Sequence, residues 1–323
     1  MSLWTTWMSR KRKGNAVHGW VVVDKPDGVT STQVVAIVRR VFDAQKAGHA
    51  GTLDPMATGV LAIALGEATK TVPFAMESEK TYRFTARWGE ARDSDDAEGR
   101  VTATSDIRPA REQIEAVLPR FLGHVTQVPP VYSAIKVQGE RAYDLAREGE
   151  AVSLEPRMVN IHEARVTANP DLDHTEFEMR CGKGTYVRAW VRDLALALGT
   201  VGHVSRLRRA AIGGFSEKDA VPLETLKASM HSPAAFEHLR PLSTALDGIP
   251  ALAVTGPDAV RLRSGNPILM RANLFARLSE EADNDDLQGL TVYLSTGDGE
   301  PVALAALQAG ELRPFRVFNF GTG

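Results

Sequence analysis

The sequence predicts an α+β protein: a large domain on a mixed, mostly antiparallel sheet, followed by a small β-rich tail. Three observations predict it. Strand-like and helix-like segments are interspersed without the regular strand–helix–strand spacing of a parallel sheet. After Pro250 the pattern changes to one short helix and several short strands. The 323 residues also exceed what a single hydrophobic core usually organises. The expected divisions are a basic N-terminal arm over 1–17, a large domain over 18–249 with an insertion at about 124–152, and a tail over 250–323.

In chain order, His18–Val23 is an apolar run, and Asp24-Lys25-Pro26-Asp27-Gly28 after it is dense in turn formers. Thr30 or Ser31 can cap the next helix, whose Val34, Val35, Ile37, Val38 and Val41 keep helical spacing. Gly59–Leu65 reads as a buried strand, and Thr81–Trp88, with large and polar residues alternating, as a half-exposed one. Asp93–Gly99 is an acidic turn and Arg111–Leu122 an amphipathic helix. Pro129 and Pro130 break regular structure, a short helix is expected over Arg141–Glu148, and strands over Met158–Thr167 and Thr175–Cys181. Gly182-Lys183-Gly184 opens an amphipathic helix over Tyr186–Leu198, which Gly199 ends, and His203–Ala211 is the next strand. Helix and linker fill 222–250. Thr255 then caps a short helix to Arg263, and short strands run to Phe320.

Composition narrows the class. Hydrophobic residues at 43% and charged residues at 24% are the proportions of a soluble globular chain. No run approaches the roughly 18 apolar residues of a membrane span. The cluster Arg10-Lys11-Arg12-Lys13 lacks the apolar core of a secretory signal. The single cysteine, Cys181, excludes an intramolecular disulfide and a cysteine-based metal cage, so a reduced cytoplasmic compartment and no metal are expected. A net charge of −2 argues against a polyanionic partner, but its distribution argues otherwise. Residues 1–50 carry eight Lys/Arg against three Asp/Glu, and 180–209 seven against one. These stretches are either solvated surface or, if they meet at one face, a means of steering nucleic acid.

The most unusual segment is Gly48-His49-Ala50-Gly51-Thr52-Leu53-Asp54-Pro55-Met56-Ala57-Thr58-Gly59. Glycine permits close backbone approach, and Pro55 holds Asp54 extended, so a carboxylate is presented on a stiff loop entering the core. Read from these residues alone, Asp54 is either a turn residue of Asx type or a functional carboxylate. A working carboxylate needs a partner to aim it, and the planar fork of arginine suits that task. The best candidate is Arg188, in Gly182-Lys183-Gly184-Thr185-Tyr186-Val187-Arg188, where it is either that partner or one half of a surface ion pair. No Walker A spacing and no Gly-x-Gly-x-x-Gly after a strand is present.

These segments carry a resemblance. The run from His49 through Asp54 to Gly59 resembles the catalytic loop of the bacterial tRNA pseudouridine synthase B family, which makes pseudouridine at position 55 of tRNA. Three other segments resemble its remaining motifs in the expected order. They are Gly19 to Ser31 with Asp24-Lys25-Pro26, Pro129 to Gly139 with Tyr132-Ser133-Ala134 and Lys136, and Cys181 to Arg188 followed by Leu207-Arg208-Arg209. The similarity spans about Gly19 to Phe215.

The resemblance implies a catalytic domain of pseudouridine synthase type, an RNA-gripping insertion and a small PUA-like RNA-binding tail. It implies that Asp54 is the nucleophile, acting at C6, at C1′ or through a glycal route. Arg188 is its ion-pair partner and is expected to keep its pKa low. Tyr82 stacks on the flipped base and helps to move the C5 proton. Tyr186 and Leu207 line the uracil pocket, His49 reaches into the T loop, and Lys25 is a substrate-site residue that is structural or RNA-facing. Tyr132, Lys136, Arg141, Arg147, Lys183 and Arg208 are expected to contact RNA. No cofactor is expected; the partner is the T stem-loop of tRNA, bound by a monomer without an obligatory protein partner. Two competing classes are a catalytically silent tRNA-binding or tRNA-folding protein, and a base hydrolase using the same carboxylate.

Overall fold

The computed structural model describes residues 14–133, 135–137, 140–141, 153–272, 274–276, 278 and 287–320, with the backbone alone at 136, 137, 140 and 141. Within them the chain is α+β, a large mixed sheet with short helices followed by a β-rich unit. Arg147 lies outside the described residues, as do Arg10–Lys13 and most of the helix expected over 141–148. Arg141 itself falls in a two-residue strand, Glu140–Arg141, paired with Lys136–Val137.

The large sheet contains β1 (Gly19–Lys25), β2 (Ala47–Ala50), β3 (Thr58–Leu65), β4 (Lys80–Trp88), β5 (Gly123–Gln127), β6 (Arg157–Ala168), β7 (His174–Cys181) and β8 (Gly202–Ile212). Its main path runs β1–β3–β8–β4–β7–β6–β5. All these neighbours are antiparallel except β3 and β8. The apolar run of β3 reflects burial on both faces, because only Thr58 is left partly open. In β4 the alternate residues Phe84, Ala86 and Trp88 turn inward. Phe84 stacks on Phe177, and Trp190 meets both edge-on, which closes the centre of the core.

One detail of this sheet positions the site. β1 pairs along β3 from Gly59 to Leu65, which uses one edge of that strand completely. The other edge is divided: β8 pairs at Thr58 and Gly59, and β2 pairs from Ala62 to Leu65. Val60 and Leu61 face the interval between β8 and β2. The chain passes from β2 to β3 through Gly51–Ala57, so the Asp54 loop sits at that interval.

The helices obey local chemistry. Thr30 caps α1 (Ser31–Val41) with a reciprocal bond to Gln33, which leaves the Ser31 hydroxyl free for another use. α2 (Arg111–Val117) is shorter than expected. Leu118–Phe121 tightens to a 3-10 turn at Pro119, whose missing N–H and ring cannot continue an α-helix. α3 (Val187–Ala197) buries Trp190, Val191 and Leu194 against the sheet and ends before Gly199, which has φ +74°.

The tail holds α4 (Gly256–Arg263) and β9 (Ala251–Val254), β10 (Ile268–Leu269), β11 (Thr291–Thr296), β12 (Pro301–Gln308) and β13 (Glu311–Val317), in the order β9–β11–β12–β13–β10. Leu252, Leu262, Val292 and Leu312 form its own core. Tyr293, Leu304 and Phe318 join another cluster, with Trp20, Val22 and Phe215 of the large sheet and Leu246 of a 3-10 turn beside it.

Candidate active site

The Gly51–Ala57 loop is tied down from several sides. The Ser31 hydroxyl takes both backbone groups of Leu53, accepting from its N–H at 2.9 Å and donating to its carbonyl at 3.0 Å. Lys25 is fully buried, and its ammonium donates to the carbonyls of Pro26, Pro55 and Ala57 at 2.8, 2.8 and 2.6 Å. The Gly28 N–H also donates to the Pro55 carbonyl, and Ala57 N–H closes a turn on Asp54 O. From β8, Arg209 enters the interval on the β3 edge and donates to Val60 O at 2.8 Å and Gly51 O at 2.9 Å. At Gly59, with φ +97°, a Cβ would overlap the Arg209 carbonyl, so a side chain there would push β8 away.

This fixed backbone presents the Asp54 carboxylate to Arg188, whose Nε lies 2.9 Å from Oδ2. Arg188 is 3% exposed and Asp54 33% exposed, so the pair is sealed on the arginine side and open on the carboxylate side. The remaining guanidinium nitrogens are also occupied. Nη1 donates to Ser94 O at 2.8 Å and lies 3.3 Å from Asp96 Oδ2, and Nη2 donates to Tyr132 O at 2.8 Å. Arg188 stands in the first turn of α3, where the helix dipole disfavours a cation. Two carboxylates offset this, and Asp96, only 4% exposed, is the more deeply buried.

The expectation that Arg188 holds the Asp54 carboxyl below its ordinary range is corrected. Burial raises it above the usual value near 3.8; Arg188 opposes the rise, while the charge of Asp96 adds to it. The arginine pulls in the expected direction, but its charge is shared between two carboxylates and does not outweigh desolvation.

Tyr82 lies on β4 directly across from Arg209 on β8. Burial pushes its phenol up and Arg209 pulls it down, with Asp54 close enough to raise it slightly. Tyr186 is the residue preceding α3; its N–H donates to Gln127 Oε1 at 2.9 Å, and burial raises its phenol too. His49 ends up on β2, where burial and then Arg209 lower its pKa, favouring the neutral ring. Leu207 lines a cleft of about 630 Å³ together with Met56, Thr58, Phe84 and Glu98. Asp54, Tyr82 and Arg188 are not in its wall, so the candidate chemistry is placed on the ion-paired carboxylate and not on the cleft.

Domain profiles match the chain on both sides of this arrangement. The N-terminal domain of the TruB family pseudouridylate synthases matches residues 39–187, and the tRNA pseudouridylate synthase B C-terminal domain matches residues 188–247. The chain belongs to the TruB family. Among its relatives, the tRNA pseudouridine synthase B of Caulobacter sp. (strain K31) is 55% identical over 97% of this chain and 99% of its own length. The tRNA pseudouridine synthase B of Bradyrhizobium diazoefficiens is 54% identical over 96% of this chain and 90% of its own. In fold, the chain is similar to a chain of a Cbf5–Nop10–Gar1 complex, with TM-score 0.71, 22% identity, and coverage of 94% and 86%. A chain from an H/ACA RNP bound to a substrate RNA containing 2′-deoxyuridine gives TM-score 0.70 at 20% identity, covering 98% and 92%.

Within this TruB chain, Asp54, Arg188, Tyr82 and Tyr186 converge, and Leu207 lies on the neighbouring cleft. Of the two roles expected for Lys25, structural or RNA-facing, its contacts are those of the first. All three of its donors hold backbone carbonyls, and burial lowers its pKa to about 8. Of the residues expected on RNA, Tyr132 supports Arg188 through its carbonyl. Lys183 is exposed and ion-paired with Glu77. Arg208 grips both oxygens of Asp24, at 2.9 and 3.1 Å, and also pairs with Glu217. Sequence reasoning missed Asp96, Ser31 as a loop tether, and Arg209. Only for Arg209 was a signal available, since in a strand it must share the face of Leu207.

Proposed function

We propose that this protein isomerises uridine to pseudouridine at position 55 in the T loop of tRNA, with Asp54 as nucleophile. The observation that carries the reading is the half-open Asp54 carboxylate on a tethered loop, backed by a buried arginine. The relatives' name supplies the substrate class. A uridine stacked in the T loop hides C6 and C1′, so it must be flipped out, at a cost of a few kcal/mol. Stacking on Tyr82 and contacts with Tyr186 and Leu207 offset that cost. Attack at either carbon requires Asp54 ionised, which Arg188 favours against burial. The C1′–N1 bond breaks, uracil rotates and C5 bonds to C1′. The bond to Asp54 breaks in turn, displaced by C5 if it was made at C1′ or eliminated from C6, which returns the carboxylate, while the C5 proton leaves with help from Tyr82 and N1 gains a proton.

His49 enters the T loop as a neutral ring. Tyr132, Lys136, Arg141, Arg147 and Lys183 form the RNA grip, with Arg208 joining as part of its ion-paired cluster. Residues 250–323 act as a PUA-like RNA-binding unit beside the 18–249 catalytic domain. The protein works as a monomer in the cytoplasm; among the described residues no helix is long and apolar enough to cross a membrane.

The test is Asp54→Asn on a T-arm stem-loop, with pseudouridine read by chemical labelling and binding measured separately. No product with binding retained is expected. Unchanged product yield would refute the nucleophile assignment, and release of free uracil by the parent protein would indicate a hydrolase.

A further inference from the structure

Arg209, one of the tethers of the Asp54 loop, is also a buried cation. Its side chain is 1% exposed, yet among the described residues no carboxylate lies within ion-pair distance of it. A buried unpaired charge is expensive and persists where the surrounding structure depends on it. Its guanidinium donates to two neutral carbonyls, Val60 O on the β3 edge and Gly51 O at the start of the Asp54 loop, and also hydrogen-bonds the Tyr82 side chain. Across the sheet it is the register partner of Tyr82, which puts the two side chains on one face at cross-strand distance. One guanidinium thus touches the base of the nucleophile loop and the strand neighbour that carries the tyrosine.

We propose that Arg209 is a positioning residue that fastens the Asp54 loop and the Tyr82 side chain to one buried cation, fixing the separation of carboxylate and phenol. The inference rests on the roles proposed for Asp54 and Tyr82. The charged and titratable groups facing Tyr82 are Arg209 from β8, Cys181 from β7 and Asp54 from the loop. Burial of the phenol, Cys181 and Asp54 all disfavour its ionised form, and Arg209 is the cation among them. Arg209 therefore has two separable effects, a geometric one through its two carbonyl bonds and an electrostatic one through its charge.

The test compares Arg209→Met and Arg209→Lys in the full chain, each with 3-fluorotyrosine at position 82. The readouts are ¹⁹F titration of that phenol and steady-state kcat and KM on a T-arm stem-loop. Arg209→Met should move the titration to higher pH and lower kcat about 100-fold, the scale of a displacement near 1 Å, with KM nearly unchanged. Arg209→Lys keeps the charge, so its titration should stay near the parent's while kcat recovers only in part. An unmoved titration in Arg209→Met, or a loss confined to KM, would overturn the proposal. Full parental kcat in Tyr82→Phe would instead overturn the tyrosine's catalytic role, and the ¹⁹F titration would still report whether Arg209 governs that phenol.

Discussion

Replacing Arg188 by lysine keeps the positive charge and discards the shape that uses it. The guanidinium meets four partners: Asp54 through Nε, Ser94 O and Asp96 through Nη1, and Tyr132 O through Nη2. A single ammonium on a flexible stem cannot span groups on three sides, so at least two of these contacts are lost. Hydrogen bonds to charged groups contribute about 1.5–3 kcal/mol each. Because Asp54 is 33% exposed and water can reach it, the low end applies, and Arg188→Lys should cost about 3 kcal/mol of stability. The rate should fall about 100-fold, since the carboxylate is no longer aimed. Arg188→Met should lose more, about 3–5 kcal/mol, because it leaves Asp96 buried without a cation. Urea unfolding and single-turnover pseudouridine formation on a T-arm stem-loop measure the two quantities. A lysine variant within about threefold of the parent rate, about 0.6 kcal/mol, would refute the argument that arginine geometry is required.

Three other outcomes are expected. The Asp54 carboxyl is harder to ionise in the folded state than in the unfolded chain, so its charge opposes folding at neutral pH. Asp54→Asn should therefore be more stable than the parent near neutrality, with the gain shrinking as pH falls towards 3.8; urea melts across that range check it, and a gain independent of pH would contradict it. Lys25→Met strips donors from three carbonyls around the Asp54 loop and should cost about 3 kcal/mol and most of the activity, read by thermal melts and turnover. Gly59→Ala sets a Cβ against the Arg209 carbonyl at positive φ and should cost about 2 kcal/mol or more in urea unfolding, whereas Gly28→Ala, with open space around it, should cost less.

Much of this was legible in the chain because the relevant physics is local. Pro55 and the glycines around Asp54 restrict the backbone whatever surrounds them. The apolar run of β3 and the periodicity of α1 follow from burial on two faces and on one. Pro119 also carried the information that shortens α2, although helical periodicity around it suggested otherwise. What stayed hidden depends on contacts across long stretches of sequence. Asp96 lies in what reads as an ordinary acidic turn, and only folding that turn against α3 places it 3.3 Å from Arg188. The pKa of Asp54 depends on the balance between burial and a shared cation, which no motif expresses. Arg208 and Arg209 are sequence neighbours with opposite fates, one ion-paired near solvent and one sealed inside. The two-residue alternation of a strand contains that difference, but only once Leu207 is known to point inward.

The apolar cluster shared by Trp20, Phe215, Tyr293, Leu304 and Phe318 bears on how this chain can be cut. A break near Pro250 looks like a convenient seam, since a new sheet starts at Ala251. Either fragment would carry away half of a hydrophobic joint. The large piece would lose the Phe320 ring that covers His18, and the small piece would bare Phe318 and Leu304, both buried in the intact chain. Each fragment would be prone to self-association, so the unit that can be purified, engineered or exchanged with a relative is the whole chain.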